Sequence, residues 1–169
     1  MDVSAQGADI MLFEQIQTTC LNDADLPWVP FTPYSERVLV KYFKLDPIRG
    51  ETIALMKAPA KGQMPRHRHT GTVIVYTVQG RWKYREHDWI AEPGSIVYET
   101  AGSSHTPEAL PAESGSADIV TLNIIQGELL FVNDSGHILA AENWRSGWDR
   151  YAAYCHEHGL APKDLTSFG

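Results

Sequence analysis

Between Val38 and Ala140 no strand-forming run lasts beyond eight residues before turn chemistry interrupts it. Residues 38–45, 51–57, 72–79, 81–86, 95–99, 118–125, 128–132 and 137–140 are rich in β-branched and aromatic side chains. Between them stand Asp46-Pro-Ile-Arg-Gly50, Pro59, Gly80, Pro93-Gly94, Gln126-Gly127 and Asn133-Asp-Ser-Gly136, each a turn signal. Many short strands at that spacing predict an all-β jelly roll or barrel rather than a sheet crossed by helices. With 169 residues the chain makes one domain large enough to bury a core.

Two strands say more. Residues 81–86 alternate cleanly, with Trp82 and Tyr84 opposite Arg81, Lys83 and Arg85. Residues 72–79 are apolar on both parities, which a half-exposed strand would not be. Its outer face is therefore expected to be covered by the N-terminal arm, the last helix or another subunit, which predicts a homo-oligomer, a dimer or tetramer.

The division expected is an arm at 1–35, the barrel at 36–141, and a helix with its tail at 142–169. In the arm, residues 9–16 read as a short helix or packed extended segment. Residues 26–34 hold Pro27, Pro30 and Pro33, which predicts irregular chain with Trp28, Val29 and Phe31 laid across the outside of a sheet. In the last segment Trp144, Trp148, Tyr151 and Cys155 recur at helical spacing and predict its buried stripe.

The formal net charge of -7 with no basic block argues against a nucleic-acid partner. No apolar run approaches a membrane span and no leader precedes the fold, so a cytoplasmic protein without a membrane partner is expected. Cys20 and Cys155 are the two cysteines and read as free thiols.

Chemistry concentrates at His67-Arg-His69 and at Gly102-Ser-Ser-His105. On a strand, side chains at i and i+2 share a face, roughly 6–7 Å apart. His67 and His69 can thus converge on one metal ion, with Arg66 and Arg68 turned to the other face. His105 follows a glycine turn and completes a candidate triad of neutral imidazoles, which suit Fe, Zn, Cu or Ni and leave positions open for substrate. His87 and His137 fall in turns and read as surface residues. His156 and His158 lie two apart on a helix, where they share no face.

These two segments resemble the paired motifs of the cupin superfamily over residues 62–109. Gly62, His67, His69 and Gly80 answer to the first motif; Gly94, Gly102 and His105 answer to the second. Gly62 stands one residue closer to His67 than the motif asks. The glutamate of the first motif falls at Val73, which binds no metal, and Thr100 and Ala109 replace the proline and asparagine of the second. The resemblance thus implies a neutral three-histidine site, which favours a chelating anionic substrate. Glu99 faces the barrel interior by alternation and is the candidate catalytic carboxylate: a conditional ligand, a base or a partner of a histidine. Glu108 is a weaker candidate.

More narrowly, His67-Arg-His-Thr-Gly71, residues 76–84, Glu86-His-Asp-Trp89 and the stretch from Gly94 to Thr106 resemble the 2,4'-dihydroxyacetophenone dioxygenase family of cupins. That resemblance implies Fe(2+) held by His67, His69 and His105. It implies an aromatic hydroxymethyl ketone and O2 as substrates, and 4-hydroxybenzoate and formate as products. Two other functions fit the same residues: a three-histidine dioxygenase of β-diketones or flavonols, and a non-catalytic zinc-binding sensor or anti-sigma-like cupin.

Overall fold

The computed structural model describes residues 18–60, 64–111 and 118–167. The segment expected at 9–16, and Gly62, lie outside the described residues. Twelve strands are present among those described: β1 (Val29–Phe31), β2 (Ser35–Asp46), β3 (Glu51–Ala58), β4 (His67–His69), β5 (Val73–Gln79), β6 (Trp82–Tyr84), β7 (Ile96–Glu99), β8 (Ser104–His105), β9 (Pro107–Ala109), β10 (Ile119–Gln126), β11 (Leu129–Val132) and β12 (Ile138–Glu142). A helix, α1 (Trp144–Glu157), follows. The large sheet has the order β1-β2-β3-β10-β5-β7, the small sheet β12-β11-β4-β8, and β6 pairs with β9 alone. All pairings are antiparallel.

The two main sheets face each other because their strands alternate. Val38, Val40 and Tyr42 on β2 and Val73, Val75 and Thr77 on β5 are buried, as period-two patterning requires of an inward face. One core joins Val38 and Val40 to Leu129 and Phe131 across the sandwich. A second, around Val73, Val75, Trp82 and Tyr84, fills the other end. The buried indole of Trp82 donates to Thr77 Oγ1 at 2.9 Å, so its one polar atom is satisfied.

Sheet changes need close backbone approach. The corner from β4 to β5 crosses the corner from β10 to β11, and a Cβ on Gly71 would stand 2.2 Å from the Gln126 carbonyl oxygen. Thr70 ties the crossing: its N–H donates to Glu128 O at 3.0 Å, and its Oγ1 accepts from Glu128 N at 2.7 Å.

Helix α1 starts at a capping box, with Asn143 Oδ1 accepting from Ser146 N and Ser146 Oγ accepting from Asn143 N. It lies against β1, β2 and β12. Gly147 faces Tyr42 and Leu45, where a Cβ would be 2.9 Å from a Leu45 methyl. Tyr151 and Cys155 are buried, while Trp144 and Trp148 are half-buried against the core. Both cysteines are free thiols.

Two expectations are corrected. Residues 29–31 form a strand despite Pro30, because β1 is the sheet's edge and a missing donor there breaks no inner ladder. Val29 and Phe31 consequently enter the core, at 1% and 4% exposure, and only Trp28 stays outside, over Lys41. Residues 107–109, read as loop, form β9 because β6 offers them an unpaired edge. Of the covers expected over the outer face of β5, α1 is not the one, since it packs on β1, β2 and β12; among the described residues Ile74, Tyr76 and Val78 are 38%, 42% and 48% exposed.

One ion pair fastens the helix to the sandwich. Arg150 donates to both carboxylate oxygens of Glu142, to Tyr42 Oη, and through Nε to Thr32 O at 2.7 Å, with its guanidinium 4.8 Å from the Phe31 ring centre. The two side chains are 8% and 11% exposed. Arg150→Met leaves the Glu142 charge buried without its partner, and is expected to cost about 3 kcal/mol of stability in urea unfolding. A loss under about 1 kcal/mol would show that the pair contributes no more than a surface bridge.

Candidate metal centre

The three histidines meet through strand register. β4 places His67 and His69 on one buried face and leaves Arg68 exposed. β8 pairs with β4 so that His105 lies opposite His67. The ligand-capable nitrogens of the three rings all lie within 4.8 Å of one another, and all three side chains are buried. Gly102, with φ of 82°, makes the turn that returns the chain to β4, and its N–H donates to His69 O at 2.8 Å. His67 Nδ1 donates to Pro65 O at 3.0 Å. That bond fixes the tautomer and leaves Nε2 with its lone pair toward the cluster.

A carboxylate completes the group. Glu99 ends β7 and pairs with Val73 of β5. The position where the first cupin motif carries glutamate is thus occupied by valine, and a glutamate arrives from the adjacent strand. Glu99 is 5% exposed, with Oε2 2.8 Å from His69 Nε2 and 3.2 Å from His105 Nε2. The two imidazole nitrogens are themselves 3.2 Å apart. The resemblance implied a neutral site; the fold supplies a negative charge instead.

Burial pushes the Glu99 carboxyl up, but its contacts with His105 and His69 outweigh burial and hold it well below the usual carboxylate range. Burial, then the neighbouring His69 and His105, push His67 down to about 3. Tyr84 donates its hydroxyl to Glu99 Oε1 and stacks on His105, with ring centres 3.8 Å apart and planes 11° from parallel. Burial and the Glu99 charge raise the Tyr84 phenol well above its ordinary value, so it stays a donor.

The donor set fits a metal ion. Glu99 Oε2 and His69 Nδ1 are buried without hydrogen-bond partners. Three lone-pair atoms held 2.8 to 3.2 Å apart repel unless a proton or a cation lies among them.

The cluster opens onto an interior chamber of about 130 Å³, whose walls come from both main sheets. Phe31, Val40, Met56, Met64, Trp82 and Ile119 make it chiefly apolar; His67, His69, Tyr84 and Glu99 are its polar end. Glu108 also lines it, with its carboxylate 3.7 Å from Arg85 Nε. A second, outer cavity also borders Tyr84, Glu99 and His105.

His137, His156 and His158 are exposed and join no metal-ligand cluster among the described residues, and His87 stacks on Trp89 at the outer cavity. Tyr84 is a site residue that motif spacing does not single out. Its inward parity on β6 was legible; its reach to Glu99 depends on how β6 folds over the sandwich.

A two-sheet jelly roll with a histidine cluster in its mouth is a cupin. The chain belongs to the ChrR Cupin-like domain family, whose family model matches residues 17–121. A crystal structure of an RmlC-like cupin protein from Ralstonia eutropha JMP134 is 60% identical and superposes with a TM-score of 0.87 over 94% of this chain and all of that one. Acetylacetone dioxygenase from Acinetobacter johnsonii shares the fold at 16% identity, TM-score 0.67, covering 83% of this chain and 94% of that one. A putative acetylacetone dioxygenase from Methylibium petroleiphilum PM1 does so at 21% identity and TM-score 0.72, covering 84% and 99%. No curated protein matches the chain.

Folded, metal-free His67 stays neutral down to about pH 3, whereas in the unfolded chain it takes a proton near the ordinary imidazole value of 6.5. Within that window the unfolded state binds the extra proton, so stability falls as pH falls. Thermal melts of metal-free protein at roughly pH 7 and pH 5.5, above most carboxylate titration, are expected to show this fall, reduced in His67→Leu. Equal slopes in the two proteins would contradict it.

Proposed function

We propose that this chain is an iron-dependent dioxygenase that cleaves the C–C bond of an aryl hydroxymethyl ketone. The observation that carries the proposal is a buried His67, His69, His105 and Glu99 cluster at the polar end of an apolar chamber. Iron, when bound there, supplies Lewis-acid polarisation of the substrate oxygens and the electrons that engage O2. His67, His69, His105 and Glu99 would hold the ion, and a donor set reaching it from one side would leave it accessible to substrate, the openness that catalytic sites need.

Each neighbour then has a task. His67, held by Pro65 O, presents Nε2. Glu99 offsets part of the metal's charge, and Tyr84 fixes Glu99 Oε1 so that Oε2 alone faces the histidines. The apolar walls seat the aryl ring and exclude water, which strengthens every charge interaction at the cluster. The overall reaction balances: ketone carbonyl carbon and hydroxymethyl carbon part, each takes one oxygen atom from O2, and an aryl carboxylic acid and formic acid result.

Chamber size supports one ring. About 130 Å³ is close to the roughly 150 Å³ of an apolar cavity that accepts benzene, and well short of a three-ring flavonol. A β-diketone also fits, and the fold likeness to acetylacetone dioxygenase keeps that substrate class as the nearest alternative. A different reading, a zinc-binding sensor module, is favoured by one feature: three histidines and Glu99 make four protein donors, the number that closes a structural zinc site.

Protein purified without oxygen is expected to carry iron and to consume O2 with an aryl hydroxymethyl ketone, releasing formate in equal amount. His69→Ala is expected to lose both iron and turnover while keeping its circular dichroism. Uptake on β-diketones alone would shift the substrate class. Tightly held zinc, with no O2 uptake on any ketone, would overturn the enzyme reading.

A further inference from the structure

The apolar wall of the chamber is interrupted on β10. Ile119, Thr121, Asn123 and Ile125 of that strand all line the chamber, and Thr121 and Asn123 are 9% and 7% exposed. Inward positions of a buried sheet are ordinarily apolar. A buried amide is costly there unless its polar atoms find partners.

Half of that amide is accounted for. Asn123 Nδ2 donates to Thr121 O at 3.1 Å and to Thr121 Oγ1 at 3.0 Å, with Ala54 O at 3.5 Å. Carbonyl oxygens only accept, so the NH2 end must face them and the orientation of the amide is fixed. Oδ1 is turned the other way. It accepts no hydrogen bond among the described residues, and packing does not seal it off. Thr121 Oγ1 accepts from Asn123 and keeps its own proton, for which the described residues offer no acceptor. The pair thus presents one free acceptor and one free donor, the complement of a hydroxyl group.

Charge and reach narrow the ligand. No lysine or arginine lines the chamber, whereas Glu99 and Glu108 do. An ionised oxygen is disfavoured in such surroundings, and a neutral hydroxyl is not. Glu142 and Asn143 also lie on the wall, but Arg150 holds the first and the helix cap the second. Glu99 pairs with Val73, Val73 pairs with Ile125, and Asn123 stands two residues along β10. Two strand spacings and two residues set the Glu99 and Asn123 backbones roughly 12 Å apart. With both side chains pointing inward, that leaves room for one ring with a group at each end.

We infer that Asn123 and Thr121 are specificity-determining residues: they bind a neutral hydroxyl on the aryl ring, at the end away from the metal cluster. The inference rests on the proposed reading for what stands at the ring's other end. Among aryl ketones the pair selects those that carry a phenolic hydroxyl. It also orients the ring, so that the ketone side chain faces His67, His69 and Glu99.

Calorimetry of ring probes with the protein as purified, kept without O2, tests the subsite apart from turnover. Asn123→Leu and Thr121→Val, each close in shape to the residue replaced, are expected to lower the affinity for phenol relative to toluene at least ~10-fold. In the native chain anisole, which keeps the oxygen but cannot donate, is expected to follow toluene. In turnover, Asn123→Leu is expected to raise KM for a hydroxyphenyl ketone at least ~10-fold and to leave that for the phenyl ketone unchanged, a split that loss of folding does not produce. An unchanged phenol-to-toluene ratio in both variants, or anisole bound like phenol, would overturn the inference and leave the pair to an ordered water. A phenol preference that the variants abolish, with no turnover of any ketone, would support the subsite and overturn the enzyme reading alone.

Discussion

Everything at the mouth of the barrel depends on one crowded set of lone pairs: the Glu99 carboxylate against the imidazole nitrogens of His69 and His105. Those atoms stand 2.8 to 3.2 Å apart in a buried place. With neither a proton nor a cation among them they would repel one another and go unsatisfied, which is among the costlier things a fold can do. A shared cation turns the same contacts into attractions.

The scaffold is arranged to keep these groups close. β4 sits between β8 and β11, so the His67 and His69 backbone is held on both sides by ladders. Gly71 and Gly127 allow the two corners to cross at a distance no side chain would permit, and Thr70 locks them. Tyr84 comes from a separate two-stranded piece, yet its ring lies flat on His105 and its hydroxyl holds Glu99. Four elements therefore restrain one carboxylate and three rings, and the chamber behind them needs only to be apolar and of the right size.

Much of this is legible in the chain. Spacing alone sets His67 and His69 on one face, and turn chemistry places the strands and the last helix. Two kinds of feature are not local. Glu99 is assigned inward by alternation, but that it faces Val73 follows from the β5–β7 register, which no short stretch encodes. The valine at the motif's glutamate position reads as a missing charge, whereas the neighbouring strand carries it. Pro30 misleads in the other direction: a proline forbids an inner strand and permits an edge one, and which of these β1 is depends on the whole sheet. The doubly apolar β5 is legible as sequence, whereas the exposure of its outer face among the described residues follows from the packing of α1 against β1, β2 and β12.

The central claim is that Glu99 shares a metal ion with His67, His69 and His105. Calorimetric titration of Co(II) into metal-free protein, followed by its visible absorption, tests it without turnover. One ion per chain is expected, with Glu99→Gln weakening affinity at least ~10-fold and changing the absorption bands. Equal affinity and an identical spectrum in the two proteins would show that the carboxylate is not a donor and would contradict the account.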